Sequence, residues 1–170
     1  MVKFSAMLRK IRHKKVQLCG GNFAIVASRY NARYVDAMVH SAKAELLRAG
    51  AKVQIVRVPG AYEIPVVTKR LARASRLEPR APLSAIICLG VILRGETVHA
   101  AHIGQAVSRA LMQIQLAHEI PVVHEVLLLE NEGQARVRCL GKKHNRGTEA
   151  AQTALAMVRV MKNLDGKGAF

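Results

Sequence analysis

Hydrophobic and polar positions change period repeatedly along the chain. Asn22–Ser28 (NFAIVAS) is a short apolar run that predicts a strand. Val35, Met38, Val39, Ala42 and Leu46 follow at helical spacing, and Gly50 stands where such a helix stops. Lys52–Val58 is β-branched and alternating, which predicts a second strand before the break at Pro59-Gly60. A second helix is predicted from there to about Arg76. The polar stretch Ser75–Pro82, with Pro79 and Pro82, predicts a surface connection. Ala85–Gly90 (AIICLG) lacks alternation, as expected of a strand covered on both faces. Ile103, Val107, Leu111 and Ile114 stripe a third helix, and Pro121–Leu129 supplies a fourth strand. Ala151, Ala154, Leu155, Val158 and Met161 stripe the last helix.

Four alternations of strand and helix predict an α/β fold. The expected form is a flavodoxin-like doubly wound domain, a four-stranded parallel sheet flanked by helices on both faces. A length of 170 residues with 51% hydrophobic positions suits one domain with a proper core. The expected organisation is a basic arm over 1–19, the α/β domain over 20–163 and a C-terminal tail over 164–170. The arm carries Lys3, Arg9, Lys10, Arg12, Lys14 and Lys15, and the first acid of the chain is Asp36. Phe4, Met7, Leu8 and Ile11 fall on one helical face. The arm therefore reads as a basic amphipathic helix for a membrane or nucleic acid, as a solvated arm, or as one packing on a neighbouring subunit.

Lys plus Arg number 27 against 11 Asp plus Glu, a formal charge of +16. Such an excess predicts an anionic partner: nucleic acid, an anionic membrane or a phosphorylated substrate. Only 4% of residues are aromatic and there is no Trp, which leaves few stacking platforms for single-stranded nucleic acid. Cys19, Cys88 and Cys139 form no CxxC pair, so neither a disulfide framework nor a cysteine zinc site is expected. A cytoplasmic setting follows from that usage. Ala81–Leu93, uncharged over 13 residues, is too short to span a bilayer, and the N-terminus lacks a secretory apolar region.

Ligands of open parallel sheets bind outside the carboxyl ends of the strands. Three such ends carry polar, glycine-bearing or titratable residues: Arg29-Tyr30-Asn31, Val58 to Pro65 (VPGAYEIP), and Arg94 to His99 (RGETVH). Their coincidence predicts one site. Gly95-Glu96-Thr97 opens a helix, where free amides and the helix dipole favour an anion; plain capping, with Thr97 as N-cap, explains it equally. No GxxxxGK[ST] loop is present, and Gly20-Gly21 precedes a strand rather than following one. His99 in the first turn is a natural proton carrier beside an anion. His99 and His102 lack a third ligand, so no metal is expected. His13, His40, His118 and His144 have no evident partners. Arg136–Arg146 is the densest positive stretch outside the arm. It reads either as a phosphate clamp with Arg138 as the bidentate partner, or as a solvated loop or RNA contact.

Together, Ser28-Arg29-Tyr30-Asn31, VPGAYEIP at 58–65 and Leu89–His99 (LGVILRGETVH) closely resemble the lumazine synthase family of riboflavin biosynthesis. The stretch Glu130-Asn131, Gln134-Ala135, Arg138, Lys142 and Asn145–Glu149 is similar to that family's phosphate loop and last helix, so the resemblance runs from about 20 to 163. It implies condensation of 5-amino-6-(D-ribitylamino)uracil with 3,4-dihydroxy-2-butanone 4-phosphate to 6,7-dimethyl-8-ribityllumazine, releasing phosphate and water, with no metal or organic cofactor. It further implies that Tyr30 lies against the pyrimidine, where the family usually has Phe or Trp. Backbone groups of Ala61 and Tyr62, with the Glu63 carboxylate, would hold the ribityl chain, and the main chain of Val91, Ile92 and Leu93 the uracil. Phosphate would fall to Glu96, Thr97 and Arg138, and proton transfer to His99, while Lys142 and Glu149 line or support the site. The family completes each site from an adjacent subunit in a homopentamer, which also builds sixty-subunit shells. His124 occupies a position, often aromatic in the family, that reaches the neighbour's site. Ala100, Ala101, Leu140 and His144 also depart from the family pattern and bear on pocket closure and on the tuning of His99. Two other readings remain from the residues, a nucleic-acid-binding protein and a flavin- or lumazine-binding module without catalysis.

Overall fold

The first strand is the hydrophobic heart of the chain, since every residue of Asn22–Ser28 after the first is buried. A strand so enclosed has to be central and covered on both faces. The computed structural model, which describes residues 20–78, 80–141 and 144–166, places it so. In chain order the elements are β1 (Asn22–Ser28), α1 (Ala32–Arg48), β2 (Lys52–Val58), a 3₁₀ turn (Ala61–Glu63), α2 (Ile64–Leu77), β3 (Leu83–Leu93), α3 (His99–His118), β4 (Val122–Leu129), α4 (Glu132–Ala135), a π-helical turn (Arg136–Leu140) and α5 (Arg146–Asp165). The sheet order is β2-β1-β3-β4, with every pairing parallel. This is the doubly wound α/β architecture expected from the pattern.

Alternation of side chains along the strands splits the core in two. Phe23, Ile25 and Ala27 of β1 and Ile87, Leu89 and Val91 of β3 pack with α1 and α5 through Val35, Met38, Leu46, Ala151, Leu155 and Val158. Ala24, Val26, Ile86 and Cys88 pack on the other face with Ile64 and Ala72 of α2 and Val107, Leu111 and Ile114 of α3. Close approach is built in at two glycines. A Cβ on Gly90 would stand 3.1 Å from Val126 and 3.3 Å from Ile64, and one on Gly147 would lie 2.6 Å from the Met38 Cα and closer still to its carbonyl oxygen. α5 thus sits on the backbone of α1.

The structure amends the predicted boundaries. β3 extends from the expected Ala85–Gly90 to Leu83–Leu93, because Val91, Ile92 and Leu93 keep pairing with Leu127, Leu128 and Leu129 of β4. α3 begins at His99, with Val98 at the N-cap position, so Thr97 is not the N-cap. The stretch after β4 is not a plain loop but a short helix and a π-turn. Helix α5 takes in Leu164 and Asp165, the first positions of the expected tail. The arm over 1–19 and Lys142 lie outside the described residues. Among the described residues no helix is long and apolar enough to cross a membrane.

Candidate functional site

The loops after β1 and β2 are bonded to one another. The Arg29 amide donates to the Val58 carbonyl at 2.8 Å and the Tyr30 amide to the Pro59 carbonyl at 3.1 Å. Asn31 turns the chain with φ 56, the left-handed region that Asn tolerates better than most residues. Its side-chain amide donates to the Val91 carbonyl at 2.8 Å, tying this loop to β3. Gly60 lies between Tyr30 and Glu63: its amide donates to Glu63 Oε2 at 2.8 Å, and a Cβ there would meet the Tyr30 ring at 3.2 Å. Tyr30 and Tyr62 are nevertheless 71% and 63% exposed, an uncovered aromatic pair at the mouth of the sheet. Ala61 and Val91 are buried, and Ile92 and Leu93 half-buried.

Beyond β3 the chain leaves the sheet at Arg94, whose amide donates to the Leu129 carbonyl at 2.8 Å and whose guanidinium pairs with Glu130 at 3.0 Å. Glu96, Thr97 and His99 follow, all exposed. The His99 amide donates to Thr97 Oγ1 at 3.4 Å. Because α3 packs against the 3₁₀ turn, it carries His99 on the same face of the sheet as Ala61, Tyr62 and Glu63. Among the described residues no cluster of three His, Cys, Asp or Glu could hold a metal ion.

Arg138 has a different setting. Its π-turn packs against α1, α4 and α5, and Ala135 and Cys139 on either side of it are buried in the α1–α5 core. Such turns recur at functional sites. Arg138 lines an open cavity of about 440 Å³ with Asn131, Gly133, Gln134 and Val137. Asn145 secures the turn, donating to the Cys139 carbonyl at 2.5 Å while its side-chain oxygen caps α5 at the Gly147 amide, 2.9 Å away. Within one chain, therefore, His99 and Arg138 belong to elements on opposite faces of the sheet.

The model of the 6,7-dimethyl-8-ribityllumazine synthase family matches residues 20–162. The chain belongs to that family. A lumazine synthase of this name from Stenotrophomonas maltophilia (strain R551-3) is 39% identical over 145 residues, covering 84% of this chain and 90% of its own. One from Xylella fastidiosa (strain M12) is 39% identical over 148 residues, 85% and 92% of the two chains. One from Xanthomonas oryzae pv. oryzae (strain PXO99A) is 39% identical over 145 residues. Members of this family are transferases of riboflavin biosynthesis, and their substrates are small molecules.

Of the residues marked by the lumazine synthase resemblance, Tyr30, Ala61, Tyr62, Glu63, Val91, Ile92, Leu93, Glu96, Thr97 and His99 gather at the carboxyl ends of β1, β2 and β3. His124 stands apart, early in β4 on the α3 face. Its Nε2 is 2.7 Å from Ser108 Oγ, and its Nδ1 accepts from the Val126 amide at 3.2 Å. Ser108 spends its own proton on the Gly104 carbonyl at 2.8 Å. The hydroxyl must therefore accept from Nε2–H, which fixes a neutral tautomer; burial lowers the ring's pKa in the same sense. Two residues had no role in the sequence reading, Asn31 and Glu125. Asn31 was visible as a turn former. Glu125 was hidden because its partner Arg146, 3.8 Å away, and the neighbouring Glu149 lie on α5.

Proposed function

We propose that this chain condenses 5-amino-6-(D-ribitylamino)uracil with 3,4-dihydroxy-2-butanone 4-phosphate, forming 6,7-dimethyl-8-ribityllumazine and releasing phosphate and water. The observation that carries the reading is the Asn31–Val91 hydrogen bond. It fastens the loop bearing Tyr30 to the strand whose last residues offer main-chain groups, on a chain of the lumazine synthase family. Tyr30 stacks on the pyrimidine. The main chain of Val91, Ile92 and Leu93 bonds the uracil edge. Ala61 and Tyr62 offer backbone groups to the ribityl chain, and Glu63 offers it Oε1, its other oxygen being held by Gly60. Glu96 and Thr97 meet the phosphate ahead of α3. His99, exposed beside them, moves the protons of imine formation and phosphate elimination. Holding two reactants in register supplies much of the acceleration in a condensation of this kind, and proton transfer a smaller factor.

Arg138 completes the site from a neighbouring copy, since it packs on the face opposite His99 in its own chain; by the family resemblance His124 reaches the neighbour's site as well, and Lys142 lines or supports the phosphate end. The assembly is a homopentamer or a sixty-subunit shell built from it. The catalytic unit is the α/β domain, which runs from residue 20 to the end of α5 at Asp165. The buried free thiols of Cys88 and Cys139 suit the reducing cytoplasm. Incubating the purified protein with both substrates and following lumazine formation tests the reaction. Product is expected, and its absence overturns the proposal. RNA binding that falls steeply with salt, or flavin binding without turnover, identifies what replaces it.

A further inference from the structure

Helix α4 is a single turn of four residues, Glu132–Ala135, and runs straight into the π-turn that carries Arg138. A helix so short has no stability of its own, so its placement depends on what its side chains hold. The Asn131 side chain accepts from the Gln134 amide at 3.0 Å, and the Gln134 side chain from the Glu130 amide at 3.1 Å. Both bonds are local and move with the segment. Ala135 and Cys139 fix only its buried side, against the α1–α5 core. Among the described residues, one side-chain hydrogen bond ties α4 to another element. The Tyr34 hydroxyl, in the first turn of α1, donates to Glu132 Oε2 at 3.2 Å. Tyr34 is only 4% exposed, so its ring is locked in the core and its hydroxyl is a fixed point. Arg136 meets the same Glu132 oxygen at 3.2 Å, but that pair is exposed at both ends and contributes little.

Arg138 lies between two anchors, Tyr34 acting on Glu132 ahead of it and Asn145 holding the Cys139 carbonyl behind it. Asn131, Gly133 and Gln134, in or next to α4, line one cavity with Val137 and Arg138. A shift of α4 therefore moves one wall of that cavity against the guanidinium. We propose that Tyr34 is a positioning residue for the anion site at Arg138, its hydroxyl holding α4 in place through Glu132. This inference rests on the reading of Arg138 as a phosphate residue. Tyr34 touches no substrate and acts only through the carboxylate it holds. Anion binding already orders the Arg138 side chain, and a backbone that must be ordered as well weakens it further. Loss of the hydroxyl is thereby felt in phosphate binding and not in proton transfer at His99.

Inorganic sulfate and the two substrates are the probes, used on the intact assembly. Tyr34→Phe keeps the ring and removes the hydroxyl. It is expected to raise the sulfate dissociation constant and the KM for the phosphorylated ketone on the order of fivefold, with kcat and the KM for the pyrimidine within about twofold of wild type. Glu132→Gln leaves Tyr34 an acceptor and should bind sulfate as wild type does. Glu132→Ala should repeat Tyr34→Phe, and the two together should cost no more than either alone. Equal rises in both KM values, additive losses in the double variant, or a Glu132→Gln as weak as Glu132→Ala overturn the inference. So does sulfate binding unchanged by Tyr34→Phe but weakened by Arg138→Ala, a result that leaves the phosphate reading standing. Sulfate binding unaffected by Arg138→Ala overturns that reading and the inference with it.

Discussion

The side-chain amide of Asn31 donates to the carbonyl of Val91 across 2.8 Å, joining the turn after β1 to the end of β3. Asn31 also holds a left-handed backbone, φ 56, which L side chains adopt at a cost. Its two contributions separate in two variants. Asn31→Gly loses the bond and keeps the turn, for roughly 1 kcal/mol. Asn31→Ala loses the bond and strains the turn, for about 2 kcal/mol. Urea unfolding at fixed protein concentration ranks them; equal destabilisation refutes the backbone part. Both should raise the KM for the pyrimidine substrate if, as proposed, the main chain of Val91 bonds the uracil edge.

Gly60 is open to a sharper test. Its φ of −130 suits any residue, so Gly60→Ala carries no backbone strain. The added methyl would stand 2.9 Å from Glu63 Oε2 and 3.2 Å from the Tyr30 ring. Both are side-chain atoms that can move, so unfolding free energy should change by less than about 1 kcal/mol. Activity should fall on the order of tenfold or more, because the two displaced groups are those assigned to the ribityl chain and the pyrimidine. A variant with wild-type turnover would show that their placement is not needed.

His99 and Arg138 should divide kcat from KM. His99→Ala is expected to lower kcat by roughly ten- to a thousandfold, the usual size of a general acid–base effect. Arg138→Ala should chiefly raise the KM for the phosphorylated ketone. Mixing the two impaired variants gives a further readout: a site shared between copies regains some intact sites, with both kcat and KM restored, in mixed assemblies, and a site within one chain does not. Full turnover by His99→Ala removes it as the proton carrier.

The periodic elements were legible because burial enforces period. Enclosed on both faces, β1 reads as NFAIVAS, and the stripe through Val35, Met38 and Leu46 is the buried face of α1. Boundaries were less so. Val91–Leu93 read as part of an apolar run, but only the pairing with Leu127–Leu129 extends β3 through them. Thr97 has the chemistry of an N-cap and its hydroxyl accepts from the His99 amide, yet the helix begins at His99 with Val98 at the N-cap position, one residue later than expected. The family motifs marked the site loops, whereas the cluster around Glu125 depends on α5 folding back over β4. No local spacing in the sequence encodes that.

Glu125 also makes a prediction about stability whose sign is fixed. Its folded carboxyl is pushed up to about 7 from an ordinary 4.5, chiefly by burial. Between those values the folded chain keeps a proton that the unfolded chain has lost. The stabilisation is complete below pH 4.5, falls as pH rises through the window, and is gone above the folded value. Glu125→Gln removes the titration while Arg146 keeps Glu149 at 2.9 Å. The variant should therefore match wild type near pH 4.5 and exceed it by about 3 kcal/mol near pH 8.5. Urea unfolding at the two pH values, at one protein concentration because assembly adds its own stability, measures the difference. A variant less stable than wild type at the higher pH would mean that ionised Glu125 supports the fold through Arg146, contrary to the longer of the two contacts that the guanidinium makes.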